Sequence, residues 1–183
     1  LSVGVSPATD SASVHLAEVV TTGISGASHH LFGNVDRFVF QRLILPGVLG
    51  GITGAYVLTQ LDGNLIKPFV SGYLLLMGLM ILWRGLSGNQ RRTIRPADLA
   101  PLGLVGGFFD AIGGGGWGPI VTSTLVARGA TPRFTVGSVN AAEFFVTVAQ
   151  SLTFFLTLGL LGWRPVLGLL IGGALAAPLA AGL

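Results

Sequence analysis

Between Arg42 and Asp62 the chain runs for 19 residues without a charge, and similar runs cover Pro68–Trp83 (16 residues), Phe144–Trp163 (20) and Pro165–Leu183 (19). Any helix or strand in water must turn some of its positions to solvent, so runs of this length have to face something else. Their lengths match the ~20 apolar residues with which a helix crosses a hydrocarbon core of ~30 Å. Lipid admits only helices or closed barrels. The run from Tyr73 to Trp83 shows no alternation of period two, which removes the barrel. Composition agrees: charged residues make up 9% of the 183, where a soluble domain carries about 25%. Mean hydropathy is +0.77. The expected fold is all-α, a polytopic membrane protein.

The chain has no cysteine, which excludes disulfides, thiolate metal sites and a cysteine nucleophile. The net charge of +3 is small and its arginines are scattered, so nothing suggests nucleic acid as a partner. The 29 glycines follow no collagen-like period; small residues let membrane helices approach closely. Gly47/Gly51 and Gly168/Gly172 are read as such packing faces, and a homo-oligomer is compatible with them.

The spans are expected at 8–32, 38–60, 65–86, 132–158 and 163–183. The stretch 98–128 differs. Phe108-Phe-Asp-Ala-Ile-Gly-Gly-Gly-Gly-Trp-Gly-Pro119 interrupts it, because four glycines and a proline cannot continue a regular helix. Its arms, 98–112 and 119–128, are each too short to span alone. It is therefore a broken span or a re-entrant hairpin. The basic segment 84–97 is expected on the cytoplasmic side. A hairpin then leaves eight basic residues inside and two outside, against seven and three for a crossing, which favours the hairpin.

An internal duplication runs at an offset of 125. Gly4-Val-Ser-Pro7 matches Gly129-Ala-Thr-Pro132, Ser13-Val-His-Leu-Ala-Glu18 matches Ser138-Val-Asn-Ala-Ala-Glu143, and Thr22 matches Thr147. The implied units are 1–86 and 98–183, joined by a cytoplasmic linker at 87–97. The first lacks its glycine hairpin and the second its last helix. A unit of one hairpin and three spans inverts its successor, an arrangement recurrent in transporters, with the substrate held near the midplane on discontinuous helices.

Each twin helix carries a polar stripe at helical spacing: His15, Glu18, Thr22, Ser25 and His29 in the first, Asn140, Glu143, Thr147 and Gln150 in the second. Ser, Thr, Asn and Gln commonly do no more than join membrane helices. An acid at membrane depth is costly and marks a pathway or proton relay, so Glu18 and Glu143 are the expected proton-coupling pair. Asp110, just before the break, is either a further proton carrier or a group that repels anions. The break itself, Gly113, Gly114, Gly115 and Gly116, offers converging backbone N–H groups at the positive end of the helix that begins near Pro119, a site suited to an anion. Trp117 would wall it. The alternative is that these glycines only permit a tight turn. His29, His30 and Asp36 fit an interfacial cap better than a metal site. No cofactor is expected.

These residues resemble the TauE/SafE-type sulfite exporter family. The similarity is carried by Ile112-Gly-Gly-Gly-Gly leading to Pro119, the Gly129-Ala-Thr-Pro132 turn, Gly137-Ser-Val-Asn-Ala-Ala-Glu143 and the duplication. It implies a secondary transporter of the bacterial inner membrane, multi-pass and proton-coupled, moving sulfite or an organosulfonate. It also implies that Gly113–Gly116, Ser138, Asn140 and Glu143 line the substrate path; the duplication adds their twins Ser13 and His15 as substrate-binding candidates. Two other readings stay open. Gly23-Ile-Ser-Gly26 with His29 imitates an intramembrane serine protease, although nucleophile and base would share one helix. A passive anion channel needs no coupling residues.

Overall fold

The computed structural model describes residues 6–86 and 95–159, and among these every regular element is helical. The expected helix at 163–183, with Gly168 and Gly172, lies outside the described residues.

Helix α1, Pro7–Leu31, starts where the Ser6 hydroxyl accepts the Thr9 N–H at 3.2 Å and Pro7 supplies a fixed φ. It stops at Gly33, whose φ of +69° lets the Asn34 N–H return to the His29 carbonyl at 2.8 Å. Asp36 then caps α2, Arg37–Gln60, by accepting the Phe38 N–H at 2.8 Å. Helix α3, Gly63–Leu86, turns Leu65, Phe69, Leu75, Leu79 and Trp83 outward. After it come α4, Pro96–Gly113, then a single π-helical turn at Gly118–Thr122 that runs into α5, Ser123–Ala127, and finally α6, Pro132–Leu158. Three of these helices are long and apolar enough to cross a membrane: α2, Leu65–Trp83 within α3, and α6.

The segment 98–128 folds back on itself. Arg128, just past α5, donates to Asp98 in the first turn of α4 at 2.9 Å, so both arms of the break begin and end together. Trp117, from the break, lies fully buried with its indole N–H on the Val139 carbonyl of α6 at 3.1 Å. Around it gather Leu43, Leu99, Val121, Leu125, Val139 and Val146, the main apolar core.

Close approach of backbones holds the rest. Helices α2 and α4 pack in parallel: a Cβ at Gly50 would overlap the Leu104 carbonyl, and one at Gly107 the Gly47 carbonyl. Gly47 and Gly51 serve packing as expected, making room for Trp117 and Gln150. Helices α1 and α6, the two that begin with Pro7 and Pro132, pack antiparallel. His15 stacks on Phe154 with ring centroids 6.0 Å apart, the Thr22 and Thr147 hydroxyls meet at 3.4 Å, and the Asn140 amide donates to the Ser25 hydroxyl at 2.8 Å.

Candidate functional site

The break is organised around Asp110. Gly114 ends α4 in the left-handed region (φ +66°) and Gly115 follows at φ +130°, conformations that disfavour a side chain. This reversal swings the next N–H groups back over the end of α4. The Asp110 carbonyl receives Gly114 at 2.9 Å and Gly115 at 3.4 Å. Its carboxylate Oδ1 receives Gly116 at 2.6 Å and Trp117 at 2.8 Å. Four consecutive N–H groups thus converge on one residue. The first two close the end of α4 on a carbonyl; the last two, Gly116 and Trp117, hold an anion, and it is the chain's own carboxylate.

Asp110 is fully buried, and α6 secures its second oxygen: the Gln150 amide donates to Oδ2 at 3.0 Å and to the Gly107 carbonyl at 3.1 Å. From α1, His15 and Glu18 complete the group. His15 Nδ1 and Glu18 Oε2 are 2.7 Å apart, and one polar atom from each of His15, Glu18 and Asp110 falls within 4.8 Å of the others. From α3, Tyr73 stacks on Phe109 at 5.1 Å and its phenol crowds the space beside Gly116. Three buried polar atoms in this cluster lack a protein partner: His15 Nε2, Gln150 Oε1 and Tyr73 Oη.

A histidine and two carboxylates at this spacing also resemble a cation site. Here both Asp110 oxygens are already engaged by N–H donors, and the convergent amides present positive potential to the same point. That environment suits an anion or a shared proton better than a metal.

Two cavities flank the cluster along α1. One, of about 280 Å³, lies against the break and is lined by Asp10, Ser11, Val14, Ile112, Gly113 and Gly114. The other, of about 450 Å³, lies between α1, α2 and α6, and its lining includes Thr22, Gly26, His30, Arg37, Gln41 and Phe144. His15 and Glu18 stand between them.

Of the expected site residues, Gly113–Gly116, Trp117, Asp110, His15 and Glu18 are brought together. Glu143 is half-buried on α6, within electrostatic reach of Asp110 and Glu18. Ser13 bonds to the Thr9 carbonyl of its own helix. Ser138 and Asn140 lie elsewhere: Ser138 accepts the Asp36 N–H at 2.7 Å and Asn140 pairs with Ser25. Ten residues separate Asn140 from Gln150, ~15 Å along the helix. Ser25 therefore bonds across to α6, while His29 faces Asn34 at 3.4 Å, so no nucleophile–base contact forms between them. Tyr73, at the head of the Leu74–Leu76 run, is not among the expected residues, although a phenol beside so apolar a run is a visible signal. Gln150 is expected on the polar stripe of its helix, with a role in the path and simple helix–helix joining both left open.

A glycine break, a buried polar cluster and a cavity on either side of it lie beside helices long and apolar enough to cross a membrane. The chain belongs to the sulfite exporter TauE/SafE family, whose sequence profile matches residues 1–183. It is 44% identical over 190 residues to the probable membrane transporter protein YtnM of Bacillus subtilis (strain 168), an alignment covering 99% of this chain and 63% of that protein. The chain thus spans less than two thirds of that relative's length. No solved structure gives a significant match.

Proposed function

We propose that this chain forms the substrate-handling part of a secondary transporter that moves a small sulfur-containing anion, sulfite or an organosulfonate, across the bacterial inner membrane with proton coupling. The observation that carries this reading is the convergence of the Gly116 and Trp117 N–H groups on one buried carboxylate beside a histidine–glutamate pair, with a cavity on either side. Fixed amide dipoles recognise an anion without a permanent cation, which would hold it too tightly to release. His15, Glu18 and Glu143 supply groups that can take up and pass a proton.

The antiparallel packing of α1 and α6 supports the inverted repeat. Thr22 and Thr147 occupy equivalent positions 125 residues apart, and contact between them is what a two-fold axis passing through the crossing would produce. Alternating access then amounts to rocking one unit against the other about this contact, opening the two cavities in turn. The protein has no enzymatic role in this reading and spans the membrane several times.

Sulfite flux into proteoliposomes under a pH gradient tests the proposal. Saturable flux that shows countertransport, and that loses its proton dependence in Glu18→Gln or Glu143→Gln, is the expected result. Flux that rises linearly with concentration in either direction would instead indicate a channel. No flux under any gradient rejects the transporter reading.

A further inference from the structure

We propose that Asp110 is a tethered stand-in for the transported anion: its carboxylate occupies the seat that the substrate's oxyanion takes, and a proton placed on it vacates that seat. The inference rests on the transporter reading above and names the position and the coupling step within it.

A lone carboxylate buried in an apolar bundle needs hydrogen bonds to be tolerated at all. Asp110 has three from nitrogen donors, the Gly116 and Trp117 N–H groups on Oδ1 and the Gln150 amide on Oδ2. Donors arranged this way around two oxygens also suit two oxygens of a sulfite or a sulfonate. A cavity lies close by: Gly113 and Gly114, three and two residues before the first of these donors, line the 280 Å³ space, while Asp110 itself is fully buried behind them. The fully buried His15 leaves Nε2 without a protein partner in the same cluster, an additional group that an incoming oxyanion can engage.

Two anions cannot share this seat, since like charges in close contact at low dielectric repel strongly. The exchange is therefore one for one. A proton from water reaches the Asp110 carboxylate, Oδ1 no longer competes for the Gly116 and Trp117 N–H groups, and the side chain can turn aside. The anion then takes those donors. For a monoanion the net charge of the seat is unchanged, so each cycle carries one proton with one anion and is electrically silent. The titratable groups around Asp110 are His15 and Glu18 from α1, Tyr73 from α3 and Glu143 from α6. The His15–Glu18 pair, the closest of these, is the natural last step of the proton's path.

The test is equilibrium binding of a radiolabelled alkanesulfonate, whose single charge is constant across the working range, to the whole protein in nanodiscs as pH is varied. For the wild type, binding is expected to tighten about tenfold per unit fall in pH while one proton is taken up. Asp110→Ala is expected to bind at mildly alkaline pH at least as tightly as the wild type does in acid, with no dependence on pH. If Asp110→Ala does not fold, Asp110→Asn serves, with the pH dependence again lost. A full pH slope in the folded Asp110 variants overturns the proposal, as does loss of all binding in a folded Asp110→Ala. Absence of binding by every form, wild type included, overturns the anion reading as a whole.

Discussion

Arg128 reaches back thirty residues to Asp98 and pairs with it at 2.9 Å, which closes the glycine-interrupted segment into a hairpin. Both side chains are partly exposed, and such a pair contributes ~1 kcal/mol or less. Its value is topological. If the hairpin enters and leaves by one face of the membrane, cysteines placed at the two positions share that face. Since the chain has no cysteine of its own, Asp98→Cys and Arg128→Cys should both react with an impermeant maleimide from the same side of sealed vesicles. Labelling from opposite sides would mean that this segment crosses.

The parallel seam of α2 and α4 depends on glycine in a way that a single methyl can probe. A Cβ at Gly107 would run into the Gly47 carbonyl and one at Gly54 into that of Phe108. Backbone cannot yield as a side-chain tip can. Gly107→Ala and Gly54→Ala should each cost about 1–3 kcal/mol by overpacking and lower the melting temperature in detergent. Gly78, on the outward face of α3, has nothing within 4 Å of the same position. Gly78→Ala should leave the melt unchanged or raise it slightly, because alanine favours the helix by about 1 kcal/mol.

That contrast bears on what the sequence could reveal. Charge-free length and glycine–proline interruption are local properties, and they located every described helix within two or three residues, from Pro7–Leu31 to Pro132–Leu158. Period along a stripe placed His15 and Glu18 on one face and Thr147 and Gln150 on another. Which glycines meet backbone is not local. Gly47/Gly51 announced themselves by spacing, yet Gly50, Gly54 and Gly107 form an equally tight seam that depends on the partner helix. The same holds for Asp110. Nothing in Asp110-Ala-Ile-Gly-Gly-Gly-Gly-Trp117 states that the chain reverses so sharply that this acid captures the amides which follow it. That outcome arises from Gly114 and Gly115 entering positive φ in succession.

Trp117 joins the break to α6 and offers a graded test of that joint. Its ring fills the space left by Gly47 and Gly106, and its indole N–H reaches Val139. Trp117→Phe keeps most of the packing and loses one hydrogen bond, worth about 0.5–1.5 kcal/mol. Trp117→Ala also opens a cavity in the core, for a total near 3–5 kcal/mol. Melting temperatures should fall in that order. If the alanine variant melts no lower than the phenylalanine variant, the indole is not the packing element described here.

The two cavities make the most direct claim about movement through the protein. The smaller one adjoins Asp10 near the start of α1, and the larger one adjoins Ala27 near its end. Seventeen residues of helix separate these positions, ~25 Å of axial distance, with His15, Glu18 and Thr22 between them. The end of α1 lies with Arg133, whose guanidinium donates to Asn34 at 2.6 Å, and so on the side where Arg128 closes the hairpin. Ala27→Cys should therefore be labelled from the same side as Arg128→Cys, and Asp10→Cys from the other. Transport substrate should change the two rates in opposite directions as the carrier shifts between its open states. A continuous pore would instead let a small membrane-impermeant reagent reach both cysteines from one side, and that result would reject alternating access.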